Sequence, residues 1–280
     1  MTDFQTIDLT KRDYLGIITL NRPDKLNAID ERTFAELGAA IDHLERDADI
    51  RVGIIRGAGR AFSAGHDMTD ELIPRETPPD LLSYTERNAA PWWRIWDSRL
   101  PWIAQVHGYC LGGANELALV CDFTICSTDV QFGIPDVQFQ ASPPFNILPW
   151  IVGMKKAREL ILTGRRVGAA EALELGMVNA VAEPDELEQR VFEMAADLAK
   201  SPPISVAMNK KTFNRTFEVQ GLRAAIDAGR ETFVMLQSSS SPEREEFDRI
   251  SEEQGMRAAF AWRDAKFQVP RSQGRTWPTL

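Results

Sequence analysis

His107-Gly108-Tyr109-Cys110-Leu111-Gly112-Gly113-Ala114-Asn115-Glu116 is the stretch on which the fold turns. The β-type run Trp102-Ile103-Ala104-Gln105-Val106 precedes it, and Leu117-Ala118-Leu119-Val120 continues a helical pattern beyond it, so the stretch joins a strand to a helix. Adjacent glycines at a helix start leave backbone N–H groups uncovered and aimed outward, where negative charge is stabilised. Glu116 lies three residues past Gly113, so its side chain rises on the same face one turn later. Taken alone, the same letters more often read as a packing glycine pair with a surface Glu complementing the helix dipole.

The alternation extends outward. Leu15-Gly16-Ile17-Ile18-Thr19-Leu20 and Val52-Gly53-Ile54-Ile55 read as buried strands. Between them, Asp30 caps a helix whose Phe34, Leu37, Ile41 and Leu44 share one face. Residues 70–99 read as a loop followed by a helix carrying Trp92, Trp93 and Trp96, and strand-like pieces return at Phe123-Thr124-Ile125-Cys126 and Val130-Gln131-Phe132. From Lys155 the pattern is mainly helical. Residues 169–175 end at Gly176, a good residue just past a helix, and Met177-Val178-Asn179-Ala180-Val181 is a short strand. Leu187, Val191, Met194 and Leu198 mark the next apolar face, which Ser201-Pro202-Pro203 ends; Pro242 ends a long helix after that. The expectation is an α/β core over residues 1–200, a C-terminal helical region over 201–267 and a loose tail over 268–280.

Composition removes several function classes. The chain has 280 residues, 44% hydrophobic and 26% charged, which is ordinary globular material. Its 32 Lys and Arg are scattered among 41 Asp and Glu, for a net charge of −9, so no nucleic-acid partner is expected. The N-terminus has no basic region followed by an apolar one, and no apolar run nears the roughly 20 residues of a membrane helix. No membrane partner is expected either. Cys110, Cys121 and Cys126 form no CxxC pair, and with three histidines they offer little for a metal site. They read as small buried residues in a reducing compartment, which places the protein in the cytoplasm.

Two motifs fall short. Gly57-Ala58-Gly59-Arg60-Ala61-Phe62 begins like a dinucleotide fingerprint, but Phe62 stands where glycine is needed and no helix opens there. Ala61-Phe62-Ser63-Ala64-Gly65 resembles a nucleophile elbow lacking its first glycine, with His107 the only histidine well downstream. More useful is the position of Phe62-Ser63-Ala64-Gly65-His66-Asp67-Met68 just past a strand, where a second small-residue turn can approach the Gly112-Gly113 site. Phe132-Gly133-Ile134-Pro135-Asp136 likewise sets a carboxylate after a proline at a strand end.

Taken in order, these motifs resemble the crotonase (enoyl-CoA hydratase/isomerase) superfamily. Leu20-Asn21-Arg22-Pro23-Asp24-Lys25-Leu26-Asn27-Ala28 is similar to its N-terminal acyl-CoA motif. The stretch from Gly57 to Asp67 looks like its first oxyanion-hole segment, and Gly112-Gly113-Ala114-Asn115-Glu116-Leu117-Ala118 like its second. Leu162-Thr163-Gly164-Arg165 with 169–178 matches a further signature. The resemblance implies a crotonase-like spiral of ββα units with a helical C-terminal oligomerisation region, assembled as homotrimers or hexamers. Phe233, Leu236, Phe247, Ile250 and Phe260 would supply the apolar faces. It implies an oxyanion hole made by the backbone N–H groups of His66 and Gly113, and catalytic carboxylates at Glu116 and Asp136. Lys25, Ala28, Ala64, His66, Asp67, Met68 and Gly113 would bind the acyl-CoA. Coenzyme A belongs to the substrate and no separate cofactor is implied.

The chain also departs from the pattern. His66 replaces the usual alanine, its imidazole expected to face solvent or to pack; Thr69 stands where many members have lysine. Asp136 is one methylene shorter than glutamate, about 1.5 Å of reach. Gln140-Ala141-Ser142-Pro143-Pro144-Phe145-Asn146 replaces a glycine-rich loop. Trp92, Trp93, Trp96, Phe139 and Phe145 read either as a bulky acyl pocket or as core. The expected reaction is hydration of an enoyl-CoA: Glu116 deprotonates water and Asp136 delivers the Cα proton or shares the water. Double-bond isomerisation, thioester hydrolysis, C–C cleavage, or a catalytically silent CoA-binding or RNA-binding relative are the alternatives.

Overall fold

The computed structural model describes residues 4–68 and 77–267; Thr69 and the tail 268–280 lie outside the described residues. Strand β2 (Leu15–Leu20) shows why the main sheet forms. Its side chains alternate between faces, Leu15 and Ile17 entering one core and Ile18 and Leu20 the other. A strand buried on both faces needs neighbours on both edges. β2 pairs antiparallel with β1 (Ile7–Arg12) and parallel with β3 (Val52–Gly57). Beyond β3 come β4 (Trp102–Val106), β6 (Phe123–Ser127) and β9 (Ala180–Ala182), all parallel.

The register keeps the faces matched. Ile17 lies beside Ile54 and Ile54 beside Ile103, while Ile18 lies beside Ile55 and Ile55 beside Ala104. Helix α7 (Leu187–Ala199) covers the first face with Leu187, Val191 and Ala195. The second is covered by α1 (Glu31–Arg46), α2 (Pro78–Asp97) and α3 (Gly113–Val120). Asp30 caps α1 as expected, its side chain accepting from the Thr33 N–H at 2.8 Å. A smaller sheet joins β5 (Tyr109–Leu111), β7 (Gln131–Gly133) and β8 (Val167–Gly168). Helices α4 (Leu148–Val152), α5 (Met154–Thr163) and α6 (Ala169–Glu174) follow the small sheet's strands along the chain.

The C-terminal region is helical: α8 (Pro203–Val219), α9 (Leu222–Gln237), α10 (Pro242–Gln254) and α11 (Met256–Phe267). Three details differ from expectation. The long helix before Pro242 is two helices, because Gly221 at φ +99° breaks the chain direction. The strand expected over 177–181 begins only at Ala180, since Met177 and Val178 turn into the core instead. β1 was not expected at all. Helix α8 is moored by Lys210, whose ammonium donates to the carbonyls of Ile95 (2.8 Å) and Leu100 (2.9 Å) and pairs with Asp122 at 2.7 Å. A buried cation is tolerable there because its donors are satisfied.

Candidate active site

Asn27 is the reason the first two motifs meet. It is buried at φ +53°, accepts from the Arg22 N–H at 2.9 Å, and donates to the carbonyls of Ala58 and Ala61, both at 2.8 Å. Its own carbonyl accepts from Ser63 Oγ at 2.7 Å. Backbone pairing continues the seam, from Ala64 N–H to Leu26 O (2.9 Å), Ile29 N–H to Gly65 O (2.8 Å) and Asp67 N–H to Ile29 O (2.9 Å). On its other side the same loop pairs with β5, Ser63 N–H donating to Tyr109 O at 2.9 Å and Leu111 N–H to Ser63 O at 3.2 Å. Gly65 makes this possible. At φ +94° it has no side chain to collide, and a Cβ there would lie 2.5 Å from Leu111 O and 3.5 Å from Gly113 N. The turn at 65–66 therefore abuts the start of α3.

Gly113 is the first residue of α3, so its N–H has no acceptor within the helix. The His66 imidazole packs beside it: a Cβ on Gly113 would lie 2.8 Å from the ring Cε1 and Nε2. The ring stands 5.4 Å from Phe34 and 6.4 Å from Tyr84, so the imidazole is part of the wall rather than facing open solvent. The third motif arrives through the small sheet. Leu111 pairs with Gly133, and Gly112 N–H donates to Gly133 O at 2.8 Å. That register sets Asp136 beside the glycine pair, Oδ2 lying 3.9 Å from where a Cβ on Gly112 would stand.

Glu116 is only 2% exposed, which removes the surface reading of this residue. Its Oε1 accepts from the Phe145 N–H at 3.0 Å, and the Trp92 indole donates to the same carboxyl. Burial pushes its pKa up to about 8; the Asp136 charge adds to that, and the two hydrogen bonds pull against it. Asp136 is half-buried, and desolvation raises its pKa to about 6. Burial thus raises the proton affinity of both carboxyls, and that of the deeper Glu116 more.

A cavity of about 1850 Å³ opens over these groups. Lys25, Ala28, Ala64, His66, Asp67, Met68, Gly113 and Asp136 all line it, while Glu116 sits deeper. Asp67 is committed to holding the entrance in shape, pairing with Arg22 at 2.9 Å and Lys25 at 3.3 Å. Of the five aromatic residues singled out in the sequence, Phe139 borders the cavity, whereas Trp92 and Phe145 are core. Tyr84, Phe233, Phe247 and Phe260 border it too, and sequence reasoning missed them as site residues. The near-miss motifs resolve into structure. Ser63 Oγ is buried between Asn27 O and the Gly65 N–H, and His107 Nε2 is tied to Gly59 O at 2.9 Å. Cys110, Cys121 and Cys126 are buried free thiols. Among the described residues no helix is long and apolar enough to cross a membrane.

Residues 10–258 match the family model of enoyl-CoA hydratase/isomerase. The chain is 32% identical to the short-chain-enoyl-CoA hydratase of Clostridium acetobutylicum over 229 residues, 80% of this chain and 85% of that one. It is 32% identical over 271 residues to the "probable enoyl-CoA hydratase" of Rhizobium meliloti, 95% of this chain and 98% of that one. Among solved structures, an enoyl-CoA hydratase/isomerase from Xanthobacter autotrophicus Py2 superposes with a TM-score of 0.90 at 37% identity, covering 95% of this chain and all (100%) of that one.

Proposed function

The chain belongs to the enoyl-CoA hydratase/isomerase family, and from that premise we propose that it adds water across the 2,3-double bond of an enoyl-CoA thioester. The observation that carries this reading is the convergence of two carboxyl groups of unequal proton affinity on one anion-stabilising corner. The thioester oxygen would sit between the N–H groups of His66 and Gly113, where enolate charge is stabilised as it develops; each such donor is typically worth about 3–4 kcal/mol. The coenzyme would run past Lys25, Ala28, Ala64, Asp67 and Met68, and no separate cofactor takes part.

Glu116 serves the water and Asp136 serves Cα. The deeper burial of Glu116 favours the tautomer with the proton on Glu116 and Asp136 ionised, which is the state needed for the reverse reaction. There Asp136 removes the Cα proton while Glu116 protonates the departing hydroxyl. By microscopic reversibility, hydration starts from the other tautomer, with Glu116 ionised to take the water's proton and Asp136 protonated to supply Cα. The depth of Glu116 favours one second reading, isomerisation by Asp136 alone. Conversion of crotonyl-CoA to the heavier 3-hydroxybutyryl-CoA supports hydration, whereas a gain of enone absorbance from 3-butenoyl-CoA at unchanged mass supports isomerisation.

Assembly into trimers or hexamers is part of the same reading, on a surface other than the one expected. Phe247, Ile250 and Phe260 pack within the chain, while Ile204, Met208, Phe213 and Val219 on α8 and Met235 on α9 are exposed. The three buried, unpaired thiols suit the reducing cytoplasm.

A further inference from the structure

Asp136 opens a 3-10 turn of four residues, Asp136–Phe139, and such a turn has little rigidity of its own. Its other end is gripped from the C-terminal helices. The Phe139 ring meets Phe247 edge-on at 5.8 Å and Phe260 edge-on at 5.9 Å. The Arg263 guanidinium lies over the same ring, 4.0 Å from its centroid, and 5.2 Å from that of Phe260. Arg263 is 12% exposed, so this cation–π contact is largely desolvated, where such contacts are strongest. The next residue, Gln140, is held at φ +54° and donates from Nε2 to the carbonyls of Leu236 (3.1 Å) and Ser239 (2.8 Å).

We propose that Arg263, acting through the Phe139 ring, is a positioning residue for Asp136. An aspartate carboxyl follows its backbone closely, having one torsion fewer than glutamate with which to correct an error. Misplacement of a reacting group by about 1 Å costs on the order of 10²-fold in rate. A chain with the shorter acid at this place therefore depends on a firm turn beneath it; Gln138, donating to the carbonyls of Thr163 and Gly164, holds its middle, and the α10–α11 hairpin grips the Phe139 ring at its end. The inference rests on the hydratase reading only in taking Asp136 as the group that handles the Cα proton.

The test compares the full-length wild type with Arg263→Leu, Arg263→Lys and Phe139→Leu. Val191→Ala, buried on α7 in the core on the other face of the main sheet, serves as a control for lost stability. Exchange of the Cα protons of butyryl-CoA in deuterated water, followed by mass, reads Asp136 without any water addition; kcat and KM for crotonyl-CoA are measured alongside. Arg263→Leu and Phe139→Leu should slow exchange by about tenfold or more with KM within about twofold, and Arg263→Lys should recover most of the rate because it keeps the cation over the ring. Wild-type exchange in Arg263→Leu would overturn the proposal, as would an equal loss in Val191→Ala at a matched fall in Tm. If Arg263→Leu does not fold, Phe139→Leu and Arg263→Lys decide by the same criteria. A wild type that exchanges but never hydrates retires the hydratase reading and leaves the positioning role standing; one that does neither overturns both.

Discussion

Glu116 carries the sharpest consequences at the scale of single residues. Its pKa is raised from 4.5 to about 8, so above pH 4.5 the native state holds a proton that the unfolded chain has released. Stability attributable to this group therefore falls as pH rises from about 4.5 to about 8, and is flat outside that window. Glu116→Gln removes the titration while keeping an oxygen to accept from the Phe145 N–H. Its Tm relative to wild type should climb between pH 5 and pH 8; a constant difference across that range would contradict the burial argument. The same variant isolates Asp136, whose pKa is raised to about 6. Cα-proton exchange in Glu116→Gln should survive and rise with pH through about 6, and Asp136→Asn should abolish it. The pairing of these two acids was expected in the sequence through the resemblance of the motifs to the family, not through spacing alone. Their unequal burial was not, because the donors to Glu116 come from Trp92 and from Phe145, far off along the chain.

At the scale of elements, the loop 62–67 works because it is stitched on both sides, to 26–29 and to β5. Gly65 sits in the middle of that seam. Gly65→Ala would force a left-handed φ on an L side chain and press its Cβ against Leu111 O, at 2.5 Å in the present backbone. It should cost more than about 1 kcal/mol of stability in urea unfolding and shift the His66 N–H away from Gly113. The accompanying fall in kcat should exceed that of Ala64→Gly, which disturbs neither. Periodicity and caps made β2, β3, β4, α1 and α3 readable in advance. The split at Gly221 was not read, although a glycine inside a helical run was its signal. β1 was harder: with Asp8, Lys11 and Arg12 it is an edge strand on which one face meets solvent, and its pattern is weak.

At the scale of the whole molecule, the C-terminal helices divide their work. α10 and α11 turn back on the cavity through Phe247, Phe260 and Arg263, while α8 leaves Ile204, Phe213 and Val219 uncovered. These exposed residues, which project from opposite sides of α8, should be buried between subunits. Sedimentation at micromolar concentration should give about three or six times the 31.4 kDa chain, and Phe213→Glu should shift it toward the single chain; a wild-type monomer would contradict the assembly. The return of α10–α11 to the site was not legible in the sequence. The apolar spacing of Phe247, Ile250 and Phe260 announces a buried face but does not name its partner, and Phe139 lies more than a hundred residues away. Long-range contacts of that kind leave no local signature.

The central claim is that two carboxyl groups at one oxyanion corner hydrate an enoyl thioester, and the most direct measurement is kcat for crotonyl-CoA with wild type and Glu116→Gln. The account predicts steady loss of enone absorbance with wild type and a fall of about 10²–10⁴-fold in the variant, with KM little changed. A Glu116→Gln variant that hydrates crotonyl-CoA at the wild-type rate would contradict it.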